Sequence, residues 1–204
     1  MLEHKLDLST PDLRFDEDGH RYFLCGKPIP SVSEIIRVAA ITDYTTIDPN
    51  ILQRARDYGT FVHEATHAAD LNMYGMDPII HEWVGLRNQV FGIIGKPSPQ
   101  VFHEQMVLNK SARYAGRTDR IYQFDRHTFA IVDIKTGQFN EKECGLQLFG
   151  YAEALHDMLG YKPRIRTFIA GLPRDGQAKL HEIQWRDFYT YFFSCLNVLN
   201  FRRI

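Results

Sequence analysis

A chain of 204 residues suits one domain with a full hydrophobic core, or one domain with a small appendage. Its net charge of −1, with 44% apolar and 24% charged residues, gives no global attraction to nucleic acid or membrane, so any basic groove must be local. Cys25, Cys144 and Cys195 are odd in number and far apart, which argues against a disulfide framework, a zinc knuckle or a four-cysteine iron–sulfur cluster and fits a reducing, cytoplasmic setting. The residues Met1–Lys5 begin no signal-type apolar core, and no apolar run approaches spanning length, so no membrane partner is expected.

Residues 13 to 25 read as a β-hairpin, with Leu13 and Phe15, the turn Asp16-Glu17-Asp18-Gly19, then Tyr22-Phe23-Leu24. Pro28-Ile29-Pro30 is expected to end it, and Ser31-Val32-Ser33-Glu34 has capping-box spacing for a short helix in which Ser31 is structural. A longer helix is predicted from about Ile51 to Leu71, with Leu52, Ala55, Val62, Ala65 and Ala69 on its apolar side. Arg56, Gly59, His63, His67 and Asp70 share another side, and Gly59 implies a close approach one turn before His63. A second helix is expected from about Ile79 to Ile94, then a strand from Val101 to Leu108 with Phe102, Glu104, Met106 and Leu108 on one face. Glu104 is thus a carboxylate in an apolar row, costly to bury without a partner.

Arg120 to Val132 reads as a hairpin turning at Asp125-Arg126-His127-Thr128, whose return arm is apolar on both faces. A helix follows from about Lys142 to Leu159, stopped by Gly160, with Gln147 and Tyr151 one turn apart. Arg164 to Leu172 and Ala178 to Trp185 form a second hairpin, and a helix from about Asp187 to Phe201 closes the chain. The whole of 1–204 reads as a single domain, with 1–50 a hairpin-and-helix extension and 51–204 the core.

The chemistry is expected where the apolar return arm ends in Asp133-Ile134-Lys135. Asp133 and Lys135 project to one side while Ile134 enters the core, and the hairpin can bring Asp119 close to Asp133. Two adjacent carboxylates repel unless a cation lies between them, and a hard divalent ion held by carboxylates and waters is the behaviour of Mg²⁺ or Mn²⁺. With a lysine to orient or deprotonate water, such a site cleaves phosphodiesters. Arg54, Arg56, Arg113, Arg117 and Arg120 flank the cleft and can hold phosphates, while Tyr58, Tyr114 and Tyr151 are candidates to stack bases.

From residue 59 to 151 the pattern resembles the PD-(D/E)XK nuclease superfamily, in its RecB-like exonuclease branch. The matching residues are Gly59 to His63, Glu104, Gly116 to Asp119, Asp133-Ile134-Lys135-Thr136, and Gln147 with Tyr151. The Pro30 to Ser33 segment after a hairpin also looks like phage and mitochondrial single-strand exonucleases of this branch. The resemblance implies a restriction-endonuclease-like α/β core, a central mixed sheet flanked by helices, with an N-terminal hairpin and helical extension. It implies a metal held by His63, Asp119, Asp133 and the Ile134 carbonyl with Glu104 assisting, Lys135 activating water, and Gln147 and Tyr151 on the DNA; Thr136, Arg117 and Arg56, at the edge of the same cleft, are expected to contact the DNA as well. The expected activity is exonucleolytic, in phage-type DNA recombination, repair or processing. Oligomeric state stays open. Thr118 stands where this branch usually has proline.

Two other readings compete. His63-Glu64-Ala65-Thr66-His67 is a literal zinc-protease signature, but it leaves Asp119, Asp133, Lys135, Gln147 and Tyr151 without roles, and no extended signature supplies a third ligand. An inactive DNA-binding protein on the same fold is the other, disfavoured because every charged position needed for catalysis is filled.

Overall fold

The computed structural model describes residues 6–42, 47–73, 75 and 77–203; Met1–Lys5, on which the reading of the start rests, lie outside the described residues. In chain order the elements are β1 (Leu13–Asp16), β2 (Arg21–Leu24), β3 (Lys27–Ile29), α1 (Val32–Arg37), α2 (Pro49–Asp70), α3 (Pro78–Ile94), β4 (Gln100–Asn109), β5 (Tyr114–Asp125), β6 (Thr128–Lys135), α4 (Glu141–Leu159), β7 (Arg164–Gly171), β8 (Lys179–Ile183), a 3₁₀ turn (Trp185–Phe188) and α5 (Tyr189–Phe201). A mixed sheet in the order β4-β5-β6-β7-β8 forms the centre, and a second sheet, β1-β2-β3, lies at the N-terminus. Only β6 and β7 run parallel, because the whole of α4 separates them and returns the chain to the same end of the sheet. This is the restriction-endonuclease-like α/β architecture.

β6 explains the layering. Phe129 and Ile131 pack against Leu148, Ala152 and Leu155 of α4, while Ala130, Val132 and Ile134 pack against Val62 of α2 and Trp83 and Val90 of α3. Each such side chain contributes about 1.5–3 kcal/mol by leaving water. A strand covered on both sides favours apolar residues throughout, and the buried run Phe129–Val132 is apolar at every position up to Asp133.

Helix ends follow local chemistry. Ser31 caps α1 in a complete capping box with Glu34, which accounts for that serine structurally. Gly160 ends α4 in the left-handed region at φ 69°. Among the described residues, no helix is long and apolar enough to cross a membrane.

Three expectations are corrected. Pro28 does not end the hairpin: Lys27–Ile29 pairs with β2 as a third strand, possible because an edge strand tolerates proline. On α2, Ala55 is exposed and Leu52 half-buried, since full burial begins only at Val62 and continues through Thr66 and Ala69. The expected face of β4 is also broken. Glu104 sits at φ 45°, and the β4–β5 ladder skips it between His103↔Arg120 and Gln105↔Thr118. Phe102 therefore packs toward the α4 layer, while Met106 joins Leu108 and Ala115 against the N-terminal sheet. β5 switches at the same level, because Tyr114 and Ile121, seven residues apart, share one core cluster. The two strands thus change which layer they face where Glu104 and Asp119 sit.

Candidate active site

One cleft of about 720 Å³ collects residues from every layer: Arg56, Gly59 and His63 from α2, Glu104 from β4, Arg117 and Asp119 from β5, Asp133, Ile134 and Lys135 from β6, and Gln147 and Tyr151 from α4. His63 Nδ1 lies 3.4 Å from Glu104 Oε1 and 3.7 Å from Asp119 Oδ1. Among the described residues, these three form the one group of metal-type side chains whose ligand atoms all fall within 4.8 Å of one another. Asp133 is outside that tight group. Its Oδ2 is 2.8 Å from Lys135 Nζ, an ion-pair contact without hydrogen-bond alignment. Asp119 is fixed from its other oxygen, which accepts the Ile134 N–H at 2.6 Å. Ile134 itself points into the α2–α3 core, as the two-residue alternation predicts.

The left-handed backbone at Glu104 is what aims its carboxylate at His63. A non-glycine residue held at positive φ costs on the order of 1–3 kcal/mol and persists only where its surroundings enforce it. Here His63 and Arg117, whose Nε is 3.2 Å from Glu104 Oε2, grip the side chain.

Electrostatics mark the site. Burial and the neighbouring Asp133 push the Asp119 carboxyl up to about 7. Burial alone would pull the Lys135 ammonium down, but the Asp133 carboxylate outweighs it and pushes it well up. Burial likewise pulls His63 down, and Glu104 and Asp119 more than reverse it. The carboxylates repel one another, and the groups that relieve them are His63 and Lys135.

Lys135 Nζ also donates to Gln147 Oε1 at 2.9 Å, and Gln147 Nε2 donates to the Tyr151 hydroxyl at 2.9 Å. The Tyr151 ring is 4% exposed and lies against Gly116, where an added Cβ would come within 2.7 Å of the ring. The Tyr151 ring is thus packed against Gly116, while its hydroxyl holds Gln147. Tyr114, wholly buried against α4, is unavailable for base stacking. Thr136 Oγ1 lies 3.6 Å from where a Cβ on Gly59 would stand, so α2 passes the end of β6 in ordinary contact and no protein backbone explains Gly59.

Arg120 is not a phosphate ligand. It is 0% exposed, and its Nε donates to Asp70 Oδ2 at 2.6 Å. Asp70 also receives Trp83 Nε1 and Arg87 Nη1, each at 3.0 Å, with His103 Nε2 at 3.3 Å. Arg120 further donates to Thr66 Oγ1 and to the main-chain carbonyl of Asp119. This buried network ties the end of α2 to α3 and β4 and grips the backbone of Asp119 from behind. Sequence reasoning placed Asp70 on the His63 side of its helix without giving it a task. The available signal was Arg120, a cation beside Ile121 and Tyr122 that a doubly covered arm could admit only with a partner.

His67 stacks on His103, with ring centroids 4.4 Å apart, and does not join His63 in the ligand group. Among the described residues, the zinc-protease constellation is therefore not assembled.

Among solved structures, SSO0001 shares 14% identity over 83% of this chain and 74% of its own, with a TM-score of 0.41. A candidate exonuclease from Eubacterium rectale shares 12% over 86% and 79%, with a TM-score of 0.49. The alkaline exonuclease LHK-Exo from Laribacter hongkongensis, solved in complex with dAMP, shares 9% over 83% and 85%, with a TM-score of 0.40. Comparison with curated proteins found no match. The sequence pattern that defines the PD-(D/E)XK nucleases matches residues 52–188, which runs from α2 to the 3₁₀ turn and takes in the whole cluster just described. The chain belongs to the PD-(D/E)XK nuclease superfamily.

Proposed function

We propose that this protein is a metal-dependent DNA exonuclease of the RecB-like branch, a single nuclease domain serving phage-type DNA recombination, repair or processing in a bacterial or phage-infected cytoplasm. The observation that carries the reading is the His63–Glu104–Asp119 cluster set beside the Asp133–Lys135 pair at the end of a buried strand. One imidazole and neighbouring carboxylates, with an Asp133 oxygen lacking an aligned hydrogen bond, are a donor set that fits Mg²⁺ or Mn²⁺. His63, Asp119, Asp133 and the Ile134 carbonyl would hold the ion, with Glu104 beside them. Once bound, it supplies Lewis-acid polarisation of a phosphoryl oxygen.

The chain's own groups do the rest. Lys135, held between Asp133 and Gln147, orients or helps deprotonate the attacking water and offsets charge on the phosphate. Gln147, braced by Tyr151, fixes the Lys135 ammonium. Arg117 and Arg56 stand on the cleft wall where a strand's phosphates pass, and Thr136, just past the end of β6, faces Gly59 of α2 at its edge.

The test is a digest of end-labelled single- and double-stranded DNA with Mg²⁺, with Mn²⁺ and with EDTA. Stepwise shortening in either metal and none in EDTA is expected, and the label pattern reads polarity and strand preference. Binding without turnover under both metals would instead identify an inactive DNA-binding relative.

A further inference from the structure

The N-terminal sheet reaches the cleft. His20 and Tyr22 line it together with His63, Glu104 and Lys135. His20 is the last residue of the β1–β2 turn; it is exposed and held in the left-handed region at φ 47°. Its imidazole meets the Phe15 ring edge-on, with centroids 5.1 Å apart and planes at 88°, and Tyr22 packs on Phe15 at 4.7 Å. Tyr22 is buried, so the ring cluster rests on a rigid base. Arg117 joins the two halves of the cleft. Its guanidinium lies 5.3 Å from the Phe15 centroid, and its Nε contacts Glu104 of the metal-type cluster.

A wall of rings beside a charged cleft is chemically mismatched to phosphate alone but suited to a nucleotide, which carries an anionic backbone and a flat apolar base. We infer that His20 is a base-stacking subsite for single-stranded DNA, a reading that rests on the nuclease function above. A strand whose phosphate lies at the His63–Glu104–Asp119 cluster passes Arg117 and lays a neighbouring base on the imidazole, with Phe15 and Tyr22 behind it. Every base has a π-face, so the subsite tolerates any sequence. It selects against duplex, because a paired base is already stacked and only an unpaired one can be splayed onto a side chain. The cleft, about 720 Å³, is of the size that holds small ligands and so takes a strand end.

His20→Asn is the informative variant, since asparagine accepts the left-handed backbone yet carries no ring. Fluorescence anisotropy in EDTA would compare a labelled single strand with the same strand bearing abasic sites at both ends. Wild-type protein is expected to bind the intact strand about 10-fold more tightly, and His20→Asn to lose that preference with an unchanged melting temperature. A preference retained in His20→Asn, or no preference in wild type, would overturn the subsite. The metal-dependent digest runs alongside: a His20-dependent preference without any cleavage would remove the nuclease reading and leave the subsite standing.

Discussion

Asp70→Asn is expected to destabilise the protein by about 3–5 kcal/mol at neutral pH, because it strands the wholly buried Arg120 guanidinium without its counter-charge. In a chain of this size that loss lowers the melting temperature by about 6–20 °C. The effect has a pH signature. Burial raises the Asp70 carboxyl, but His103 and Arg120 outweigh it and hold it down at about 2, against 3.8 when unfolded. A carboxylate whose folded value is depressed gives stability that is complete above 3.8 and is lost as pH falls toward about 2. The gap between wild type and Asp70→Asn should therefore narrow through that window, as wild-type Asp70 becomes protonated. Denaturant melts at a series of pH values check it, and a gap independent of pH would show that the Asp70 charge is not what the network uses. Because Arg120 also holds the Asp119 carbonyl, the same variant should lose activity without touching a ligand.

Asp119→Asn is expected to act in opposite directions on stability and function. The amide oxygen can still accept the Ile134 N–H, so the backbone contact survives. The charge that crowds against Asp133 disappears. Burial and Asp133 raise the Asp119 carboxyl to about 7, so folding disfavours its ionised form, and stability falls as pH rises from 3.8 toward that value. Removing the charge should raise the melting temperature of metal-stripped protein at neutral pH. Cleavage should fall at least 10²–10³-fold, on the order seen when one electrostatic contributor to a transition state is lost. Thermal melts in EDTA, paired with rates in Mn²⁺, measure both. A variant that is less stable without metal, or that cleaves normally, would show that Asp119 is not a strained metal carboxylate.

Element order was legible in the sequence because each element announces itself locally. The double-sided apolar run of β6, the capping box at Ser31 and the glycine stop at Gly160 all depend on neighbours within a few residues. Asp133 and Lys135 stood out because they interrupt such a run. What stayed hidden depends on contacts between distant residues. Asp70 and Arg120 are fifty positions apart, and nothing local says that one neutralises the other. Arg120 therefore read as one more cleft arginine. The layer switch at Glu104 is invisible to a two-residue alternation, since glutamate gives no warning of a left-handed backbone. The aromatic cluster of Phe15, His20 and Tyr22 read as an ordinary hairpin, because its significance lies in which cleft it faces.

The most direct measurement is single-turnover cleavage of an end-labelled single strand by wild type and by Lys135→Ala in Mg²⁺ and Mn²⁺. Lys135 bridges Asp133 and Gln147, so its removal takes away a cation set against both the Asp133 carboxylate and the scissile phosphate. A loss of about 10²–10⁴-fold in rate, with strand binding retained, is the predicted result. A Lys135→Ala protein that cleaves at the wild-type rate would contradict the assignment of this cleft as the catalytic centre.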